Sequence, residues 1–237
     1  MAAPSVSTNP KKRLSRRQVL AGAAIGLPAA GIGWRHATTR GEGHSEYFLS
    51  VQNALQQAGL FRPTLLIDRQ KLHYNCGRVR VHLPPNKRFR IVTKSLPSHG
   101  LLREVIEHTG HSSLMVFHQP FLNEVAREFP RSNILLGKPM PVGAAARFYE
   151  LHKPNRFRPQ QQLQWLVDSL ERLQQYAELA AGHPAAPFNI NLELDVGLHR
   201  GGFNDPQITA QAIRTIRDNP NLTFSGFMGY EPHVAKM

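Results

Sequence analysis

Short apolar runs alternate with helical patterns along most of this chain, and that alternation constrains its fold more than any other feature. The runs are residues 64–68 (TLLID), 89–94 (FRIVTK), 113–118 (SLMVFH), 133–137 (NILLG), 163–168 (LQWLVD), 188–196 (FNINLELDV) and 222–230 (LTFSGFMGY). Helical patterns fill 46–59, 100–108, 121–129, 143–152, 170–181 and 206–218, the first ended by Gly59. Strands separated by helices of ten or so residues predict an α/β chain with a parallel sheet. The runs read as near-continuous apolar stretches, as expected of strands covered on both faces. From Phe89 onward they recur at roughly 25-residue intervals, the unit length of a (β/α)8 barrel. A doubly wound sheet is the competing architecture. Its phosphate-binding fingerprint, G-x-G-x-x-G at a strand-to-helix turn, is missing from the sequence.

The first forty residues stand outside this pattern. Lys11, Lys12, Arg13, Arg16, Arg17, Arg35 and Arg40 occur there with no Asp or Glu, so seven of the thirteen net positive charges lie in that segment. Residues 11–18 (KKRLSRRQ) precede an uncharged run, 19–34 (VLAGAAIGLPAAGIGW). A basic stretch before a weakly apolar run is the pattern of an export signal, and the paired Arg16 and Arg17 resemble a twin-arginine motif. An N-terminal membrane anchor is the alternative. The run is shorter than the roughly 20 residues that span a bilayer. Residues 1–40 are thus expected to be a signal or anchor segment addressed to the periplasm by the twin-arginine machinery. Residues 41–62 would be a helix and linker, and 63–237 the folded domain. With the basic excess explained by targeting, no nucleic-acid partner is expected. The single cysteine, Cys76, allows no intramolecular disulfide and no CxxC metal knuckle.

Within the domain, Lys94 ends the apolar run 89–94 and is followed by Ser95, Pro97, Ser98, Gly100 and a helical pattern. Barrel active sites lie at the C-terminal ends of the strands. A lysine buried at such a mouth loses its proton readily and becomes a nucleophile toward a carbonyl; a solvated strand-end lysine is the plain alternative. Two downstream segments accompany it, 193–203 (ELDVGLHRGGF) and 226–233 (GFMGYEPH), and one upstream, 63–75 (PTLLIDRQKLHYN). Asp195 and Val196 end a strand there, Gly197 makes the turn, and Arg200 is either a ligand-facing guanidinium or a surface residue at a helix start. Asp195 either orients Arg200 or satisfies the turn's amides. Asp168 could face a substrate or cap the following helix. His108 and His111 are three apart across Gly110 with no carboxylate to complete a metal site, so no metal ligands are assigned.

In that order and at that spacing, the four segments resemble the alanine racemase N-terminal-domain superfamily of pyridoxal 5'-phosphate (PLP) enzymes. The closer likeness is to the branch of D-threonine aldolase and D-serine dehydratase. It covers residues 60–233, and implies a TIM-barrel-like PLP-binding barrel. The resemblance implies that Lys94 holds PLP as a Schiff base. It further implies that Arg200 hydrogen-bonds the cofactor ring oxygen with Asp195 beside it, and that Tyr230 and His233 face cofactor and substrate. Relatives usually read GYEGH where this chain has Pro232, which fixes φ and removes an amide donor. A small amino-acid substrate, a homodimer in full-length form, and a divalent metal in full-length relatives with its ligands missing here are also implied.

Only about six βα units are visible where a barrel needs eight, and the family's C-terminal β domain is absent. The expectation is an incomplete barrel with an open sheet edge. Cleavage of Cα–Cβ would make the enzyme an aldolase, loss of a β-hydroxyl a dehydratase, and reprotonation at Cα a racemase. A non-catalytic PLP carrier and an exported binding module for anionic polymers are the rivals.

Overall fold

The computed structural model describes residues 43–183 and 186–234. The expected signal segment lies outside the described residues. Among those described, no helix is long and apolar enough to cross a membrane. The chain divides into two compact units, one ending at Leu66 and the other beginning at Ile67. The first holds helix α1 (Glu46–Gln57), which buries none of its residues. It ends as the sequence predicts. Gly59 takes φ 66°, its N–H bonds Gln56 O, and the Leu60 N–H reaches back to Leu55 O at 2.9 Å. This left-handed stop satisfies the carbonyls of the last turn.

The second unit runs α2 (Arg69–His82), β1 (Ile91–Val92), a 3-10 turn (Thr93–Ser95), α3 (His99–Thr109), β2 (Leu114–Val116), α4 (Gln119–Glu128), β3 (Ile134–Leu136), α5 (Val142–Leu151), α6 (Pro159–Gln162), β4 (Leu163–Val167), α7 (Leu170–Ala181), β5 (Phe188–Leu194), α8 (Pro206–Asp218) and β6 (Leu222–Gly229). The six strands form one parallel sheet in the order β1-β2-β3-β4-β5-β6. Sequential order without reversal is the winding of a partial (β/α) barrel, and it rules out the doubly wound sheet, whose order switches direction.

Two expectations fail locally. Residues 64–68 are not a strand: Leu65 is 82% exposed, and the run has no sheet partner. Asp68 instead caps α2, accepting the Lys71 N–H at 3.0 Å. Helix α2 itself is not predicted; its sequence carries almost no amphipathic pattern. Asp168 is not the cap of α7 either; that role belongs to Ser169, whose hydroxyl accepts the Arg172 N–H at 3.1 Å.

The core lies between the sheet and the helices. Trp165 of β4 is fully buried against Phe148 and Tyr149 of α5 and Tyr176 of α7, and donates its indole N–H to the Tyr149 hydroxyl at 3.1 Å. Phe188 of β5 stacks on Tyr149 beside it. Strand alternation places Phe188, Ile190 and Leu192 on the helix side, and Asn189, Asn191 and Glu193 on the opposite face. The run therefore alternates rather than being apolar throughout. At the N-terminal end of the sheet the polar groups are tied together. Arg90 donates to Leu114 O, Asn133 O and Asn133 Oδ1 at 2.7–3.1 Å, and Gln164 donates to the same Oδ1 at 3.3 Å. The Asn189 amide bonds Gln160 O and Leu163 O, and Asn191 donates to Gln164 Oε1. Burial pushes the Arg90 guanidinium below its ordinary pKa, so these carbonyls are its compensation. At the far side, β6 is an end strand with Phe224 and Phe227 exposed.

Candidate active site

Parallel strands place all their C-terminal ends on one side of the sheet, and Lys94, Asp195, Arg200, Tyr230 and His233 all follow those ends. Lys94 follows β1 directly. The Thr93 hydroxyl donates to Met115 O at 2.9 Å, and the Leu96 N–H closes the 3-10 turn onto Thr93 O. Thr93 is buried and Lys94 is exposed. The expected burial of the lysine is thus corrected: β1 ends at Val92, and the turn carries the next side chain out of the core. The ammonium sits 4.4 Å from the centre of the Phe117 ring. Among the described residues no carboxylate pairs with it. It lines a cleft of about 330 Å³ with Thr93, Pro97, Phe117, His118, Phe121 and Glu124, whose carboxylate pairs with His99, a volume at the lower end of ligand pockets.

The other residues gather after β5 and β6. Asp195 accepts the Gly197 and His199 N–H groups and the His199 ring, which hold its carboxyl below the usual range, the ring first. Of its two expected roles, it takes the turn-satisfying one. The bonds also fix His199 at φ 55°, a left-handed conformation rare for a residue with a side chain. The loop then folds back onto its own strand, Phe203 N–H to Glu193 O at 2.8 Å and Asp195 N–H to Phe203 O at 3.0 Å. Gly202 makes that approach possible: it takes φ 103°, and a Cβ there would stand 2.6 Å from Glu193 O.

Arg200 is oriented by Glu193, a residue the sequence reading missed. Glu193 is 2% exposed and accepts Nε and Nη2 of Arg200 on a single oxygen. The guanidinium lies 4.4 Å over the Tyr230 ring. Arg200 is accordingly partly buried and held by Glu193 and Tyr230, and not a surface residue at a helix start. The missed signal is the alternation of FNINLEL, which puts a lone acid on the concave face seven residues before an arginine. His233 packs on the same turn: a Cβ on Gly197 would stand 3.6 Å from its Nε2. Its Nδ1 is buried without a hydrogen-bond partner among the described residues. Arg200 and Tyr230 are thus in contact; Asp195 shares the loop of Arg200, and His233, which follows β6, packs against that loop at Gly197. Lys94 shares their end of the sheet, but three strands lie between β1 and β5, and no contact joins it to them.

The model of a protein family described as alanine racemase, N-terminal domain, matches residues 67–236. Members of that family are PLP-dependent enzymes. The solved structures resembling the chain include alanine racemase from E. faecalis (19% identity, TM-score 0.57, 69% of this chain and 42% of that one). Histidine racemase from Leuconostoc mesenteroides subsp. sake also matches (13%, 0.54, 68% and 41%), as does D-threonine aldolase from Filomicrobium marinum (16%, 0.52, 67% and 40%). The chain spans about two fifths of the length of these structures. No curated protein matches it by sequence. The family match covers most of the chain and agrees with the winding of the sheet: the chain belongs to the alanine racemase N-terminal-domain family.

Proposed function

We propose that this chain is the cofactor-binding part of a PLP-dependent lyase acting on D-amino or β-hydroxy amino acids, of the D-threonine aldolase or D-serine dehydratase type. The observation that carries the reading is the amine of Lys94, set directly after the first strand of a sheet of this family and paired with no carboxylate among the described residues. The other residues fit the cofactor as well. Arg200 is held rigid through Nε and Nη2, which leaves Nη1 to donate. His233 Nδ1, buried and unpartnered, suits a group that meets its partner only when a ligand is bound.

When bound, PLP supplies an electron sink that weakens the bonds at the substrate Cα. The chain's residues do the rest. Lys94 would anchor the cofactor and carry a proton at Nζ. Arg200 would hold the ring oxygen and keep its positive charge beside it, with Glu193 fixing its plane. Tyr230 supports that plane from below, and His233 would receive or return a proton at Nδ1. The alanine and histidine racemases among the similar structures favour racemisation as the second reading. The basic and apolar residues 1–40 support export of the protein through a twin-arginine route.

The test is to incubate the PLP-loaded full chain separately with D-threonine, D-serine and D-alanine. Glycine with acetaldehyde identifies an aldolase, pyruvate with ammonia a dehydratase, and L-alanine a racemase. Product formed equally by Lys94→Ala, or none from any substrate, removes the catalytic reading.

A further inference from the structure

Helices α2 and α3 bring together three residues that the PLP reading does not use. His73 comes from α2, and Glu104 and His108 from one face of α3, four residues apart. One ligand atom from each lies within 4.8 Å of the other two. The His73 and His108 rings stack with centroids 3.6 Å apart and planes 12° from parallel. We propose that His73, Glu104 and His108 form a site for one divalent transition-metal ion of the zinc type.

The donor set is the first argument. Two imidazoles and a carboxylate suit Zn(II), Co(II) or Ni(II), whereas Ca(II) and Mg(II) prefer oxygen ligands alone. Three protein ligands leave a fourth position for water.

Orientation is the second. His108 Nδ1 lies 2.9 Å from Glu104 O, and a carbonyl can only accept, so Nδ1 carries the proton and Nε2 presents its lone pair. A ring nitrogen fixed in this way is the usual support of a metal-bound histidine. His73 Nε2–H donates to Glu104 Oε1, and that proton leaves when an ion takes the nitrogen. The guanidinium of Arg69 bonds the same oxygen and fixes the carboxylate beside the two rings. The Arg69 side chain is 71% exposed and can swing clear.

Distance is the third. Tetrahedral zinc with bonds of about 2.0–2.1 Å holds its ligand atoms about 3.3 Å apart, so the widest gap closes by about 1.5 Å while His73 and Glu104 move slightly apart. The stacked rings point their in-plane lone pairs side by side, so the half-buried His73 ring must turn out of the stack while His108 keeps its carbonyl bond. From the sequence, His108 is weighed only with His111, and that pair is set aside. Gly110 turns the chain between them, and His111 packs toward Phe89. The partner of His108 is 35 residues upstream, on another helix.

The site stands apart from the PLP reading and is tested without the cofactor. The full chain is titrated with Co(II), followed by its visible d–d absorbance, and with Zn(II) in competition with a chromophoric chelator. One equivalent should bind. His73→Ala, His108→Ala and Glu104→Gln should each weaken binding at least ten-fold, and Lys94→Ala should leave it unchanged. In the wild type, one equivalent of Zn(II) should protect His73 and His108 from diethylpyrocarbonate at least ten-fold. That measurement decides the matter should a variant fail to fold. No saturable one-equivalent step, no protection of these two rings, or wild-type affinity in all three variants overturns the proposal.

Discussion

The two ends of the sheet are built from similar polar residues and finish in opposite states. At the N-terminal end, Arg90, Asn133, Gln164 and Asn189 bond one another or the nearby carbonyls, and their donors are spent on the protein itself. At the C-terminal end, Lys94 lines a cleft, Tyr230 is half exposed, and His233 Nδ1 is buried with no partner among the described residues. A satisfied polar group rigidifies the fold, whereas an unsatisfied one costs stability and persists where a ligand completes it. The difference teaches that one end closes the fold, while the other leaves polar groups that the proposed cofactor would complete. The Glu193–Arg200 pair joins the two, since it is buried like the first and stands at the proposed site.

That pair gives the largest expected effect. Arg200→Ala strands the buried Glu193 and should cost about 3–5 kcal/mol in denaturant unfolding. Retention of full stability would show that the pair is solvated and the C-terminal end uniformly loose. Arg90→Met, at the opposite end, removes charged hydrogen bonds and should cost about 1.5–3 kcal/mol while leaving PLP capture unchanged. A loss of PLP capture there would break the division between the ends. Gly202→Ala sets a Cβ against Glu193 O at positive φ and should cost about 1–3 kcal/mol, lowering PLP affinity with it. His233→Phe should sharpen the contrast most. Its stability should stay within about 1 kcal/mol of wild type, because an unpaired polar atom is removed, while turnover of the PLP-loaded chain falls about 10²–10⁴-fold. The smallest effect is that of acid on the Asp195 turn. Its carboxyl is depressed by His199 and the Gly197 amide, so its contribution is complete above the ordinary carboxylate value of about 3.9. It is lost as pH falls through the lower folded value. Asp195→Asn should flatten that part of the stability profile.

Much of the architecture was legible because it is written in local pattern. Each of the six strands falls inside its apolar run, and Gly59 stops α1 through chemistry carried by one residue. Residues 64–68 misled, because an apolar run specifies a strand only when an edge exists to receive it. Helix α2 was missed because its sequence carries almost no amphipathic pattern, although its Asp68 cap was there to be read. The site divides the same way. Lys94, Asp195, Arg200, Tyr230 and His233 all lie at strand ends, as motif and spacing require. Missed were the partners that only folding supplies: Glu193 beneath Arg200, and His73 brought to Glu104 and His108 across two helices.

The account rests on Lys94 as the amine that takes the cofactor. Its most direct test is to incubate the full chain with PLP, reduce with borohydride, and map the labelled peptide. One label per chain on Lys94, lost in Lys94→Ala, is the result expected. Label spread over other lysines, or retained in Lys94→Ala, would contradict it.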